Sequence, residues 1–154
     1  MNSENMKKWD KRFMEVAELV GSWSSCFKDT RHVGSVITKN NRILATGYNG
    51  APTGVKNCKE RGECMRVKMG IKSGTMLEMC YGMCAEQNAI AQAAKLGVSV
   101  EGGTIYVTHR PCPVCTRQII NAGIKRIVYK HDYPNEFSLE LIKESGIILD
   151  HLGD

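Results

Sequence analysis

The sequence predicts an α/β fold, a mixed sheet whose later strands run parallel and are covered by helices. Three observations predict it. An apolar stripe at helical spacing opens the chain, two strand-like runs separated by a polar turn follow, and from residue 85 onward helix-like and strand-like segments alternate. Parallel strands cannot be joined by tight turns, so the intervening helices must cross over the faces of the sheet.

Each element has its own signal. Over residues 6–22, Trp9, Phe13, Val16, Ala17 and Val20 recur on one helical face, and Gly21 ends the helix. Residues 33–38, VGSVIT, read as a strand; KNNR turns the chain and ILATG returns as a second strand, giving a hairpin. Residues 48–80 have little periodicity and are rich in glycine and cysteine. A loop of that length in a compact domain is usually functional or tied down. A helix is predicted over 85–96, ended by Gly97. GTIYVTH (103–109) is a strand, PVCTRQIINAG (113–123) a helix with Gly123 past its end, and KRIVYK (125–130) a strand. NEFSLELIKESG (135–146) is a helix and IILDHL a last short strand. No repeat or linker interrupts this order, so residues 1–154 are expected to form one domain.

Composition narrows the setting. The net charge of +5 weakly favours an anionic partner such as a nucleotide. The first residues, MNSENMKKWDKRF, lack the apolar core of a secretory signal, and no run approaches the roughly 20 apolar residues of a membrane span. A cytoplasmic location and no membrane partner are expected. Seven cysteines is an odd number, and cytosolic thiols stay reduced, so metal ligation is a better reading than disulfides.

The cysteine spacing points to zinc. PCPVC at 111–115 places Cys112 and Cys115 in a C-x-x-C pair, which can hold tetrahedral zinc or serve redox chemistry. Cys84 is the candidate third ligand. Both Cys84 and Cys112 fall at predicted helix starts, where free N–H groups and the helix dipole favour a thiolate. Three protein ligands leave a fourth position open for water, as in catalytic zinc sites. Residues two apart on a helix do not face each other, so Cys84 must lie at or before the cap if Glu86 is to share its site. There the Glu86 carboxylate can move protons to and from an activated water. A first-turn glutamate also suits the helix dipole with no further role.

C-A-E at 84–86 followed by P-C-P-V-C at 111–115 resembles the zinc-dependent cytidine/deoxycytidylate deaminase superfamily. VGSVI, GYNGAPTG, AEQNAI, YVTHRPCPVC and NAGIKRIVY are similar to its deoxycytidylate (dCMP) deaminase branch, over nearly residues 6–150. The resemblance implies a three-layer α/β/α sandwich, cytidine deaminase-like, with a mixed sheet of about five strands. It implies conversion of dCMP and water to dUMP and ammonia, supplying dUMP for thymidylate synthesis. Cys84, Cys112 and Cys115 would ligate the zinc, and Glu86 would carry protons to ring N3 and to the departing ammonia. Asn49 in GYNG matches a residue expected near the sugar or base. Tyr133 is a further candidate for substrate contact. Arg31, Lys56 and Arg110 are candidates for the 5′-phosphate, and sequence does not choose among them.

One departure from the branch matters. Its commoner pattern is H-A-E; here position 84 is cysteine, as in small cytidine deaminases, which place an arginine after the glutamate where this chain has Gln87. Three thiolates leave a zinc site formally −1 and make it a weaker Lewis acid. Arg110, beside Cys112, and the two helix N-termini are the candidates to compensate.

The resemblance also implies that Cys26, Cys58, Cys64 and Cys80 could build a second, structural zinc site that pins the long loop. It implies a homo-oligomer, a hexamer, with dCTP and Mg as activator and dTTP as inhibitor, and residues 48–80 as the place for effector contacts. Free thiols are the alternative for the four cysteines. His32, His131 and His151 read as ordinary surface or core residues, and His109 as a pocket wall or structural residue. The alternative activities are deamination of another cytosine nucleotide or nucleoside, or of tRNA adenosine. A C-terminal basic helix is missing for the last, so no nucleic acid partner is expected. A non-catalytic zinc module would make Glu86 dispensable.

Overall fold

A computed structural model describes residues 2–153. Helix α1 (Ser3–Gly21) starts where the Asn2 side chain accepts from the Glu4 backbone N–H. A short 3₁₀ turn (Asp29–Arg31) leads into β1 (Gly34–Lys39) and β2 (Arg42–Tyr48). The hairpin turn between them places Asn40 and Asn41 at φ 52° and 56°, the left-handed conformation that asparagine tolerates. After the long connection come α4 (Ala85–Leu96), β3 (Thr104–His109), α5 (Pro113–Asn121), β4 (Arg126–His131), α6 (Glu136–Ser145) and β5 (Ile148–His151). The connection itself holds two one-turn helices, α2 (Cys58–Arg61) and α3 (Met65–Lys68).

The sheet order is β2-β1-β3-β4-β5, with β1 antiparallel to β2 and β3, and β3, β4 and β5 parallel. Alternate residues of each strand face opposite layers. Val36, Tyr106 and Val128 pack under α1 against Phe13, Met14 and Ala17. Ile37, Ile105, Val107 and Ile127 pack on the other face against Ala89 and Ala93 of α4, Ile119 of α5 and Ile142 of α6. The result is the three-layer mixed sheet that the sequence predicts.

Two glycines set the spacing of the layers. A Cβ on Gly34 would stand 1.9 Å from the Ala17 carbonyl oxygen, and one on Gly47 would stand 2.1 Å from that of Ala85. Only glycine lets α1 lie on β1, and the start of α4 lie on β2, this closely. The second approach matters for function, because the first turn of α4 carries Cys84 and Glu86. A Ser35 hydroxyl that donates to the Ala85 carbonyl at 2.9 Å fixes the same turn.

The largest difference from the sequence reading is in residues 48–80, which are not one featureless loop. Asn57 accepts from the Glu60 N–H at 2.9 Å, and Glu60 accepts from the Asn57 N–H at 3.0 Å. This reciprocal cap forms α2. A bridge between Gly50 and Met83 closes the excursion. Helices of four residues show no periodicity, so the pattern that finds longer helices passes over them.

Candidate metal centre and its cavity

Cys84 is the N-cap of α4, with extended φ −65° and ψ 154°, and its N–H donates to the Gln87 side chain at 2.9 Å. Cys112 is the N-cap of α5, with φ −69° and ψ 166°, and Pro113 follows at the first helical position. Cys115 lies in the first turn of α5 and is fully buried. The three sulfurs lie within 4.8 Å of one another. Thiolates bound 2.3 Å from one tetrahedral ion stand about 3.8 Å apart, so this trio fits zinc. Among the described residues it is the one group of three or more such side chains drawn that close.

The electrostatics also suit a cation. Hydrogen bonds from Cys115 and then Cys84, helped by the backbone N–H groups of Cys115 and Val114, hold the Cys112 thiol far down, at about 2. The cost falls on its neighbours. The Cys84 and Cys115 thiols are both pushed up, first by their bonds to Cys112 and also by burial and by Glu86. One thiol held down between two that are pushed up forms a site that a divalent ion would complete.

Glu86 is 4% exposed. Burial pushes its carboxyl up to about 7, and the charge of Cys112 adds to the rise. It shares a cavity of about 380 Å³ with Cys84 and Cys112. Asn49, His109, Arg110 and Tyr133 line the same cavity, as do Arg31 and Thr30. Asn49 is held in place, because its side-chain oxygen accepts from the Val33 N–H at 2.8 Å and its amide donates to the Arg31 carbonyl.

Arg110 differs from its expected role in one respect. Its side chain is 3% exposed, and its Nε donates to Asp132 at 2.6 Å while Nη1 donates to the Asn135 carbonyl and the Ser138 hydroxyl. Its charge is paired with Asp132, whose carboxyl it holds below the usual range. The helix N-termini of α4 and α5 remain as the positive ends directed at the thiols. Lys56 lines a separate surface hollow with Trp23 and Tyr48. Of the three cations that sequence left open, Arg31 is the one that lines the cavity with an exposed side chain and, among the described residues, no carboxylate bound to it.

Cys26, Cys58, Cys64 and Cys80 all line a second cavity of about 190 Å³ that borders the first, but among the described residues no three of them lie within 4.8 Å of one another. Burial raises the Cys58 thiol, and Cys80, Cys26 and Cys64 raise it further, in that order. Sequence reasoning missed Ser73, Gly74 and Leu77, which the long connection brings to the Glu86 cavity. Its length and its cysteines signalled that it does more than connect, but nothing in the sequence pointed to these three residues.

Known proteins resemble this chain in sequence and fold. The family model described as the cytidine and deoxycytidylate deaminase zinc-binding region matches residues 7–131. The chain is 37% identical over 142 residues to the deoxycytidylate deaminase of Schizosaccharomyces pombe, covering 92% of this chain and 43% of that protein. It therefore spans less than half the length of that curated relative. It is 34% identical over 146 residues to ComE operon protein 2 of Bacillus subtilis, covering 94% of this chain and 71% of that one. The dCMP deaminase of the cyanophage S-TIM5, solved in complex with dCMP and dUMP, superposes with a TM-score of 0.77 at 30% identity, covering 99% of both chains.

Proposed function

Because the chain belongs to the cytidine and deoxycytidylate deaminase family, we propose that it is a zinc-dependent enzyme that hydrolyses dCMP to dUMP and ammonia. The observation that carries the reading is the buried Glu86 carboxyl lining one cavity with Cys84 and Cys112, two members of the trio of sulfurs that Cys115 completes.

Cys84, Cys112 and Cys115 would hold the zinc. When bound, the zinc supplies the Lewis acidity that makes a water nucleophilic near neutral pH. The rest falls to the chain. Glu86, buried at the cavity wall beside the thiols, can both accept and return a proton. It takes one from the attacking water, delivers it to ring N3, and assists the exocyclic nitrogen as ammonia leaves, as in zinc deaminases of nucleobases generally. Asn49 and Tyr133 orient the sugar and base at the cavity wall, and Arg110 stiffens the connection that leads from β4 to α6. Arg31 takes the 5′-phosphate, since its guanidinium lines the cavity with an exposed side chain and, among the described residues, a hydroxyl rather than a carboxylate against it.

The same reading extends outward. The four cysteines reach the second cavity from separate segments of the chain, and a structural zinc there would draw their sulfurs closer, since among the described residues only the Cys84, Cys112 and Cys115 trio lies within 4.8 Å of one another. No helix among the described residues is long and apolar enough to cross a membrane. Free thiols throughout suit the reducing cytoplasm. Exposed Leu19, Trp23 and Phe27 suit a homo-oligomer, a hexamer in this reading. Regulation by dCTP with Mg and by dTTP, and delivery of dUMP to thymidylate synthesis, complete it.

One preparation tests the core. Protein loaded with zinc, its metal content counted by native mass spectrometry, is assayed on dCMP, CMP, deoxycytidine and cytidine. Two zinc ions per chain and a kcat/KM for dCMP about 100-fold above that for deoxycytidine are expected, because an unpaired phosphate site penalises the nucleoside. One zinc per chain refutes the second site, and equal or better turnover of deoxycytidine refutes the nucleotide.

A further inference from the structure

Residues 72–79 form neither helix nor strand, yet they shape both cavities. Ser73, Gly74 and Leu77 line the Glu86 cavity, and Leu77 also borders the cavity of the four cysteines. Within the segment, Leu77 is the residue that lines both. The segment's residues are nearly all exposed, so apolar burial does little to hold it. Met76 adopts φ 45°, a conformation that costs a residue with a side chain and persists only where surrounding bonds impose it.

The bonds that impose it come from Arg66 in α3. Its Nη1 donates to the carbonyl oxygens of Met76 and, at 3.4 Å, of Met79. Its Nη2 donates to those of Thr75 and, at 3.4 Å, of Lys72. One planar guanidinium thus gathers carbonyls from both ends of the segment. At the cavity side, the Ser73 hydroxyl accepts from Arg31. A continuous path runs from Arg66 through the segment to Ser73, and from Ser73 to the guanidinium at the cavity mouth.

We propose that Arg66 is a positioning residue for nucleotide recognition. It fixes the 72–79 wall and, through Ser73, aims Arg31 at the 5′-phosphate. This rests on the reading above, in which Arg31 takes that phosphate. Lysine cannot stand in for Arg66, since one ammonium has neither the flat fork nor the span to reach carbonyls on two sides. The effect belongs to the phosphate alone, because the base and the reacting carbon are served by Glu86 and the metal centre. A merely structural arginine would instead alter turnover of every substrate alike.

The test compares Arg66→Lys and Ser73→Ala with the wild type, all loaded with zinc. Two readouts are taken: kcat and KM for dCMP and for deoxycytidine, and the rate of tryptic cleavage after Lys72, a peptide whose carbonyl Arg66 holds. Both variants are expected to raise KM for dCMP about tenfold, with kcat within about twofold, the size expected for loss of charge-assisted hydrogen bonds. Turnover of deoxycytidine stays within about twofold, and Arg66→Lys is cut after Lys72 about tenfold faster than wild type. Equal loss on both substrates, or unchanged dCMP kinetics and cleavage in Arg66→Lys, overturns the proposal. Should Arg66→Lys fail to fold, Ser73→Ala decides: a loss selective for the nucleotide upholds the path, and its absence overturns it. A wild type that deaminates no cytosine nucleotide defeats the functional reading instead, and the cleavage comparison then judges Arg66 alone.

Discussion

A carboxyl group buried without a cation beside it is better off protonated, and Glu86 meets that condition when the metal is removed. Its ordinary value near 4.5 rises to about 7 in the fold. The unfolded chain therefore loses this proton first as pH rises. The stability tied to Glu86 is whole below about pH 4.5 and is gone once the pH passes 7. In metal-stripped protein, Glu86→Gln should be the more stable form at pH 8, by on the order of 2–3 kcal/mol relative to the same comparison at pH 5. Urea unfolding at the two pH values reads this out. The loaded variant should keep its zinc, since the thiols are untouched, while kcat falls by about 10²–10⁴-fold with the loss of proton transfer. An equal stability difference at both pH values would show that Glu86 is not the buried acid described here. Full activity in the variant would remove it from the chemistry.

At the level of elements, the helix starts explain why the site was so legible. The C-A-E and P-C-x-x-C patterns place thiols at N-caps, and caps have a fixed geometry that sequence spacing conveys. Cys84 has the extended backbone that its partnership with Glu86 requires. The apolar stripe of α1 and the alternation of β3, α5, β4, α6 and β5 carry the fold for the same reason: each is long enough to show its period. Two kinds of feature were not legible. The helices α2 and α3 are a single turn each, and Ser73 reaches the cavity through bonds between segments far apart in sequence, which leave no local pattern. Strand pairing adds another such bond. The parallel register of β3 and β4 sets His109 opposite His131, with ring centroids 5.1 Å apart. Burial lowers the His109 pKa, and His131 lowers it further. A depressed histidine contributes stability at neutral pH that is lost as the pH falls through its folded value. His131→Asn removes the second cause. The His109 ring resonance, followed by NMR, should titrate at higher pH in this variant, and acid unfolding should begin at lower pH. An unmoved titration would assign the depression to burial alone.

Across the whole molecule, the site and the main ionic network lie on opposite faces of one sheet. Asp10 of α1 accepts from both terminal nitrogens of Arg126 at 2.8 Å and from the Tyr106 hydroxyl at 2.8 Å. Arg126 in turn donates to Asp150 of β5 at 2.7 Å. One network thus ties the first helix to β3, β4 and the last strand. Sequence gave no warning of it, because Asp10 sits beside the apolar stripe like any solvated acid, yet it is 5% exposed. Burial of Tyr106 raises its own hydroxyl well above the usual phenol range, with the hydrogen bond to Asp10 adding to the effect. Removing one partner of a buried pair leaves the other charge uncompensated, which costs about 3–5 kcal/mol. Asp10→Ala should lose stability on that scale. The paired change Asp10→Leu with Arg126→Met should recover most of it, since an apolar pair of similar volume avoids desolvating either charge. Neither should alter kcat for dCMP at temperatures where the variant stays folded, because Glu86 and its thiols belong to the α4 and α5 layer. Chemical denaturation and initial rates on the same samples separate the two effects. If kcat falls in the folded paired variant, the two faces of the sheet are coupled, and their independence must be given up.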